Sequence, residues 1–290
     1  MEKTTTAILL ATYNGARYLR EQIESIYTQT YQDWTLYVHD DGSTDGTQEI
    51  LAEYAKTKAN FVVLDYPSQY GAKANFMSLL KMVEASYYFF TDQDDVWLPN
   101  KIEVCMQQML QTERENVNSP QTPILVCCDV CVVDEALHPI APSLWQYSGT
   151  HPEFLTTFAE SAATPFVTGC TMLINHRVKE VVLWHKLSKA VMHDAFITLC
   201  TLKAQGKVVP IFQSLMLYRQ HGLNTLGAYS KTMNTWAYKL RHLKTVWHNH
   251  TAHWRMLKAL GYGSWFKFIK YKRLYKKRCR NANKIGRAHV

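Results

Sequence analysis

Three carboxylates fall within four positions in Phe89-Phe90-Thr91-Asp92-Gln93-Asp94-Asp95-Val96-Trp97, directly after the apolar aromatic run Tyr87 to Phe90. Carboxylates this close repel and raise each other's pKa unless a cation sits among them. Hard divalent ions such as Mg2+ and Mn2+ take oxygen ligands of this kind. An Asp-x-Asp at the end of a buried strand therefore reads as a metal site, and metal at a strand end suggests a phosphorylated ligand. The competing reading is a solvated Asp-rich turn leading into a helix that Pro99 starts. Two further polar strand ends weigh against it: Thr12-Tyr13-Asn14-Gly15 after the run Ala7 to Ala11, and Asp40-Asp41-Gly42-Ser43 after Trp34 to His39. There is no Gly-x-x-x-x-Gly-Lys-Ser/Thr loop and no Gly-x-Gly-x-x-Gly after the first run, so phosphates would be held by metal instead of by a glycine nest.

The elements that must carry these residues follow from the spacing of apolar positions. Short apolar runs at Ala7–Ala11, Trp34–His39, Phe61–Leu64 and Tyr87–Asp92 read as buried strands. Between them, helical spacing runs from Ala16 to about Thr28, through Ile50, Leu51 and Tyr54 behind a cap at Ser43 or Asp45, and through Phe76, Leu79, Leu80 and Val83 after Gly71. Strand and helix in regular alternation imply an α/β fold, a mainly parallel, Rossmann-like central sheet with helices on both faces. In such sheets ligands bind beyond the carboxyl ends of the strands, where Thr12 to Asn14, Asp40, Asp41 and Asp92 to Asp95 converge.

Composition agrees with a folded chain: 290 residues, 47% hydrophobic, with no apolar run near the ~18 residues of a membrane span. Met1-Glu2-Lys3-Thr4 lacks a basic region followed by an apolar signal core, and the expected location is cytoplasmic. The seven cysteines, Cys127, Cys128 and Cys131 among them, read as core thiols in a reducing compartment, since no second Cys/His pair lies at zinc spacing. Charge is divided unevenly. From Lys231 on there are 16 Lys and Arg and no acid, whereas the first 230 residues hold the other 16 bases against all 24 acids, a net −8. An acidic body carries a basic tail.

Ala11-Thr-Tyr-Asn14, Gln29-Thr-Tyr-Gln-Asp-Trp34, Asp40-Asp-Gly-Ser-Thr-Asp45, Thr91-Asp-Gln-Asp-Asp-Val-Trp97, Val167-Thr-Gly-Cys-Thr-Met172, His193-Asp194 and Tyr218-Arg-Gln-His-Gly222 resemble, in order and spacing, the inverting glycosyltransferase family 2 with its GT-A fold, in the manner of bacterial rhamnosyltransferases of cell-surface polysaccharide synthesis. The likeness covers roughly Thr6 to Gly227. It implies that Tyr13 stacks on the nucleobase, that Asp41, and Asp40 beside it, hydrogen-bonds the base, and that Thr12, Asn14 and Lys73 complete the nucleotide-binding set. Asp92 and Asp94 become the ligands of a divalent cation on the sugar diphosphate, with His221 as a further metal or diphosphate group and Asp95 as a neighbour. Asp194 is the implied catalytic base, and Asp95, Trp97, Thr168, Gly169 and His193 are the implied surroundings of donor sugar and acceptor. A solvated loop histidine at His221, a helix cap at Asp194 and a plain turn at Gly169 are the plainer alternatives. A sugar hydroxyl is a poor nucleophile, so a carboxylate that takes its proton is chemically required.

The resemblance makes residues 1–230 a glycosyltransferase domain, a nucleotide-binding half to about residue 97 and an acceptor half after it, moving a sugar, rhamnose from dTDP-rhamnose by likeness, to a hydroxyl of a cell-surface glycan or lipid-linked acceptor. Residues 231–283 form a basic helical extension: Trp236, Leu240, Leu243 and Trp247 share one helical face, and aromatic residues interleave with bases from Trp265 to Arg278. That pattern fits an amphipathic helix on an anionic membrane surface, peripheral on the inner face of the cytoplasmic membrane; docking on the acidic body and nucleic acid are the competing partners, the last without a recognisable binding module. His248, His250 and His253 read as interfacial helix residues before a metal cluster. Residues 284–290 read as a non-native tail of the kind a sequencing adapter yields. A sugar-nucleotide nucleotidyltransferase and a catalytically silent protein of the same fold are the alternatives; Ala11 to Gly15 lacks the first one's Gly-rich basic loop, and Asp92, Asp94 and Asp194 argue against the second. The lack of a Gln-x-x-Arg-Trp motif argues against a processive synthase.

Overall fold

The period of two in the aromatic run sets the centre of the molecule. In β4 (Tyr87–Thr91), Tyr88 and Phe90 enter one apolar cluster while Tyr87 and Phe89 enter another, so the strand is covered on both faces. β1 (Thr6–Thr12) divides in the same way, Ala7 and Leu9 to one side and Ile8 and Leu10 to the other. Strands buried on both faces are what a parallel sheet between helical layers requires. The structure is a computed structural model that describes residues 5–117, 119–185, 190–222 and 243–288.

β1 pairs in parallel with β4 and with β2 (Thr35–Asp40), and β2 in parallel with β3 (Phe61–Val63). The crossovers are α1 (Ala16–Tyr27), α2 (Thr47–Thr57) and α3 (Ala72–Met82), where apolar spacing put them. Gly46 caps α2 with a left-handed backbone and no side-chain bond. Asp45 still serves it from one residue upstream, since its Oδ1 accepts from the Thr47 N–H at 3.2 Å while Oδ2 accepts from the Ala16 N–H of α1 at 3.1 Å. One carboxylate thus meets the positive ends of two helices.

After β4 come β5 (Val96–Trp97), α4 (Lys101–Glu115), β6 (Ile124–Val133), β7 (Pro139–Ala141), α5 (Leu144–Ser148), α6 (Phe158–Ala163), β8 (Met172–Asn175), α7 (His176–Trp184), α8 (His193–Lys203) and β9 (Lys207–Arg219). Among the described residues they complete one nine-stranded sheet, β3-β2-β1-β4-β8-β6-β9-β5, with β7 on β6. β8 is antiparallel to both β4 and β6, and β6 and β9 run parallel. The sheet is therefore mixed past β4, and it is continuous across residue 97, so the two halves expected on either side of that residue share one sheet.

The basic extension lies on the body. α9 (Leu243–Ala259), α10 (Trp265–Ala288) and the turn between them bury Met256, Leu257, Leu260, Tyr262 and Phe268 in the cluster that holds Phe76 and Tyr88. Polar contacts to α6 fix the seat: Tyr262 Oη donates to the Ala159 carbonyl at 3.0 Å, His253 Nε2 lies 2.8 Å from the Ala162 carbonyl, and Arg278 Nη1 lies 2.6 Å from Glu160 Oε1. Part of the aromatic pattern that reads as a membrane-binding face is thus spent on docking. The start of the extension at residue 231, with Trp236 and Leu240, lies outside the described residues, as do the side chains of Leu243, Trp247 and His248 and residues 289–290. No helix among the described residues is long and apolar enough to cross a membrane.

Candidate active site

The carboxylates close on one another where β4 ends. An oxygen each of Asp92 and Asp95 and the Sγ of Cys170 all lie within 4.8 Å of one another. Asp95 is fully buried; one oxygen accepts from the Arg219 backbone N–H at 3.2 Å, and the other has no hydrogen-bond partner among the described residues. Asp94 Oδ2 lies 2.7 Å from His221 Nε2, at the end of β9. Burial first, and then the charge of Asp94, pushes the Asp92 carboxyl up to about 7 and the Asp95 carboxyl well above the usual carboxylate range. An orphaned buried oxygen among crowded carboxylates is what a cation would satisfy. The oxygen donors fit Mg2+ or Mn2+, with the Cys170 thiol the one soft neighbour.

Arg219 holds this turn together. Its Nε donates to the Asp94 carbonyl at 2.8 Å, Nη1 to the Glu135 carbonyl at 2.6 Å, and Nη2 to the Glu21 carboxylate, while the side chain lies over the Tyr18 ring. Beneath the acids lies a second buried cation, Lys101, whose Nζ donates to the Cys170 carbonyl at 2.7 Å and sits 3.8 Å from the centre of the Trp97 ring. The motifs contain Arg219 and Cys170, but only His221 and Gly169 stand out there by type. Lys101 has no signal beyond a base at the start of an otherwise apolar helix face.

The edge expected to take the nucleotide is built from three stitched loops. Tyr13 is 57% exposed. Its backbone is gripped twice by Gln93, whose Oε1 accepts from the Tyr13 N–H at 2.9 Å and whose Nε2 donates to the Tyr13 carbonyl at 3.0 Å. Gly15 makes room for that amide, since a Cβ there would lie 2.2 Å from Gln93 Oε1. Asn14, at φ +46°, donates its N–H to Ser43 Oγ at 2.7 Å and accepts from the Thr44 N–H at 2.9 Å. Thr12 Oγ1 donates to Asp40 Oδ1 at 3.0 Å, and Asp40 also accepts from the Ser43 N–H at 2.8 Å. Asp41, nearly buried, accepts from three successive backbone N–H groups, Gln69 at 2.5 Å, Tyr70 at 3.1 Å and Gly71 at 2.7 Å. Of about four acceptor positions on a carboxylate, that leaves one for a base. Lys73 turns to the Ala190 carbonyl at 2.9 Å and ties α3 to the chain just before α8.

Asp194 occupies the second position of α8, whose cap is Met192, so it is not the helix cap. Its Oδ1 accepts from the Ala195 N–H at 2.6 Å. Burial raises its carboxyl to about 6, against the opposing pull of the backbone N–H groups of Ala195 and Gly169. Its charge adds to the rise of the Asp92 carboxyl, so the base candidate lies within electrostatic reach of the acid cluster. Two of the expected pocket residues lie in the core instead. Trp97 is 2% exposed and packs on Phe89. His193 is buried with both ring nitrogens unpartnered, 4.3 Å from Phe76 between ring centres, and burial lowers it to about 3. Gly169 backs it, since a Cβ there would meet His193 Nε2 at 2.5 Å. Thr168 is half-buried, its carbonyl accepting from the Thr171 N–H at 3.0 Å and from Thr171 Oγ1 at 2.7 Å.

Known proteins resemble this chain in sequence and in fold. A dTDP-rhamnosyl transferase, RfbG, of Shigella flexneri is 28% identical over 230 residues, 76% of this chain and 74% of the relative. The UDP-Glc:alpha-D-GlcNAc-diphosphoundecaprenol beta-1,3-glucosyltransferase WfgD of Escherichia coli is 30% identical over 111 residues, 38% of this chain and 43% of its own length. The chain thus spans less than half of that relative. Residues 1–349 of TarS from S. aureus, solved with UDP-GlcNAc, superpose with a TM-score of 0.55 at 17% identity, over 76% of this chain and 60% of that one, which shows a shared GT-A fold. The profile of glycosyl transferase family 2 matches residues 7–183. With more than half of its length under that match, the chain belongs to glycosyl transferase family 2.

Proposed function

We propose that this transferase is a metal-dependent, inverting hexosyltransferase that moves a sugar from a nucleoside-diphosphate donor to a hydroxyl of a cell-surface glycan or lipid-linked saccharide. One observation carries the reading: the crowded acids Asp92, Asp94 and Asp95 at the end of β4, with the half-buried carboxylate Asp194 close enough to perturb Asp92. In this reading Tyr13 supplies an exposed ring to the base, and Asp92, Asp94 and His221 hold the cation, with the unpartnered oxygen of Asp95 beside it. That cation, when bound, neutralises the charge growing on the departing nucleoside diphosphate. Asp194 accepts the proton of the acceptor hydroxyl as its oxygen attacks the anomeric carbon, and a single displacement inverts that centre. Arg219 keeps the Asp94 carbonyl and the Asp95 carboxylate in place from behind.

Rhamnose from dTDP-rhamnose is the donor we favour, supported by the likeness to RfbG. A lipid-linked acceptor is supported by the name of WfgD, and it fits a peripheral position on the inner face of the cytoplasmic membrane. The exposed side of α10, with Phe266, Lys267, Lys270 and Arg273, is the surface that would rest on anionic lipid. The test is a screen of sugar nucleotides with Mg2+ or Mn2+, read as nucleoside diphosphate release. Asp92→Asn and Asp94→Asn are expected to weaken donor binding as well as turnover, because the cation bridges protein and diphosphate. Full activity in excess chelator would overturn the metal dependence.

A further inference from the structure

Tyr70 is 93% exposed, more than any other large apolar or aromatic side chain among the described residues. Exposure on that scale is normally found on a slack loop, yet this loop is pinned along its whole length. Asp41 accepts from the N–H groups of Gln69, Tyr70 and Gly71. Gln69 is held in turn by Ser78 Oγ, which donates to its Oε1 at 2.9 Å. Upstream, Tyr66 stacks on buried His39 with ring centres 3.6 Å apart, and His39 Nε2 lies 2.8 Å from the Tyr66 carbonyl. Tyr70 itself sits at φ +57°, a conformation that costs a bulky residue about 1 kcal/mol or more and that glycine or asparagine would take more easily. A rigid loop thus holds an aromatic ring out into solvent, in a strained conformation.

Its position gives that ring a use. Tyr70 follows β3, Asp41 follows β2 and Tyr13 follows β1, three neighbouring parallel strands that open at the same edge. The Asp41 N–H donates to the Thr12 carbonyl at 2.8 Å, so Asp41 is bonded to the residue before Tyr13 on one side and to Tyr70 on the other. Strands two apart are separated by roughly 10 Å. Stacked aromatic rings have centres about 4.5–7 Å apart, so a planar ring inserted between two platforms needs about 9–14 Å. The Tyr13 loop is equally fixed, through the two amide bonds from Gln93.

Resting on the reading of this edge as a nucleotide site, we propose that Tyr70 is the second plane of a nucleobase clamp, with the base held between the rings of Tyr13 and Tyr70, and that the main task of Asp41 is to fix the Tyr70 loop. Stacking is tolerant of which base is held, so the clamp supplies affinity and leaves the choice of base to edge contacts.

The test is titration of the full chain with UDP, dTDP and GDP in Mn2+ by calorimetry, for the wild type, Tyr70→Ala, Tyr70→Phe and Tyr13→Ala. Tyr70→Ala should weaken the preferred nucleoside diphosphate by roughly 5- to 150-fold, the loss of one base–aromatic stack. Tyr70→Phe should bind like the wild type. With the cognate donor, the loss in Tyr70→Ala should fall on KM with kcat nearly unchanged, because the base is remote from the reacting carbon. The melting temperature should not fall, since the ring is in solvent. Unchanged affinity in Tyr70→Ala beside a weakened Tyr13→Ala would overturn the clamp and leave the nucleotide site standing. Failure of the wild type to bind any of the three would overturn the nucleotide reading on which the clamp rests.

Discussion

Asp194 is the residue whose environment and assigned role can be checked against each other most directly. Its carboxyl, raised to about 6 by burial, is charged above that pH and protonated below it, and only the charged form can accept a proton. With the cation saturating, so that Asp92 stays charged, kcat should therefore be level above about pH 6 and fall as pH drops through it. Asp194→Asn keeps shape and can still accept from the Ala195 N–H, but it removes the basicity. Turnover should drop on the order of 10²-fold or more, with donor affinity and melting temperature unchanged and the acid limb gone from whatever activity remains. Near-normal transfer by the folded variant would send the search for the base elsewhere. His193, held neutral by burial until about pH 3, cannot supply that limb.

Elements matter here through their junctions more than through their lengths. α8 carries Asp194 and β9 carries Arg219 and leads to His221, and three residues, Ala204 to Gly206, join them. A Cβ on Gly206 would lie 2.4 Å from the Pro123 carbonyl and 2.8 Å from the Thr201 carbonyl, both backbone atoms that cannot swing away. Gly206→Ala should therefore destabilise by about 1–3 kcal/mol in urea unfolding, and transfer activity should fall with it if α8 and β9 move apart. The elements themselves were legible: apolar spacing locates β1 to β4 and α1 within a residue or two and marks the buried positions of α2 and α3, because β1 and β4 are buried on both faces and each helix on one. What spacing does not carry is the pairing past β4. β8 enters antiparallel between β4 and β6, and nothing in Met172–Asn175 distinguishes an antiparallel buried strand from a parallel one. The site was legible as residue types at strand ends. Gln93, Lys101 and Cys170 were not, because an amide gripping a backbone, a base under a ring and a thiol beside carboxylates owe their meaning to contacts across the fold.

At the scale of the whole molecule, the basic extension is part of the core. Met256, Leu257, Leu260, Tyr262 and Phe268 are each nearly or wholly buried, and burying such side chains stabilises by about 1.5–3 kcal/mol each before entropy is counted. A chain cut after about Ser230 should be less stable by several kcal/mol, and should bind an apolar dye or aggregate where the full chain does not. A truncated chain with the full chain's urea midpoint would show that the docked helices add nothing. The charge difference between body and tail reads from sequence as two separable parts; the apolar face that joins them is hidden by the aromatic residues doing two jobs along the same helices.

The acid turn is also a matter of timing. Arg219 meets Asp94 and Asp95 across a separation of 125 and 124 residues, and His221 meets Asp94 across 127. The three loops of the nucleotide side, by contrast, all lie before residue 72. A chain growing from its N-terminus can close the Thr12, Asp41 and Tyr70 stitches early, while Asp92, Asp94 and Asp95 wait for β9 to be synthesised and to pair. Through that interval the nascent protein carries a cluster of acids with neither their arginine nor their histidine, so the loops proposed to hold the base can be set long before the acids proposed to meet the diphosphate.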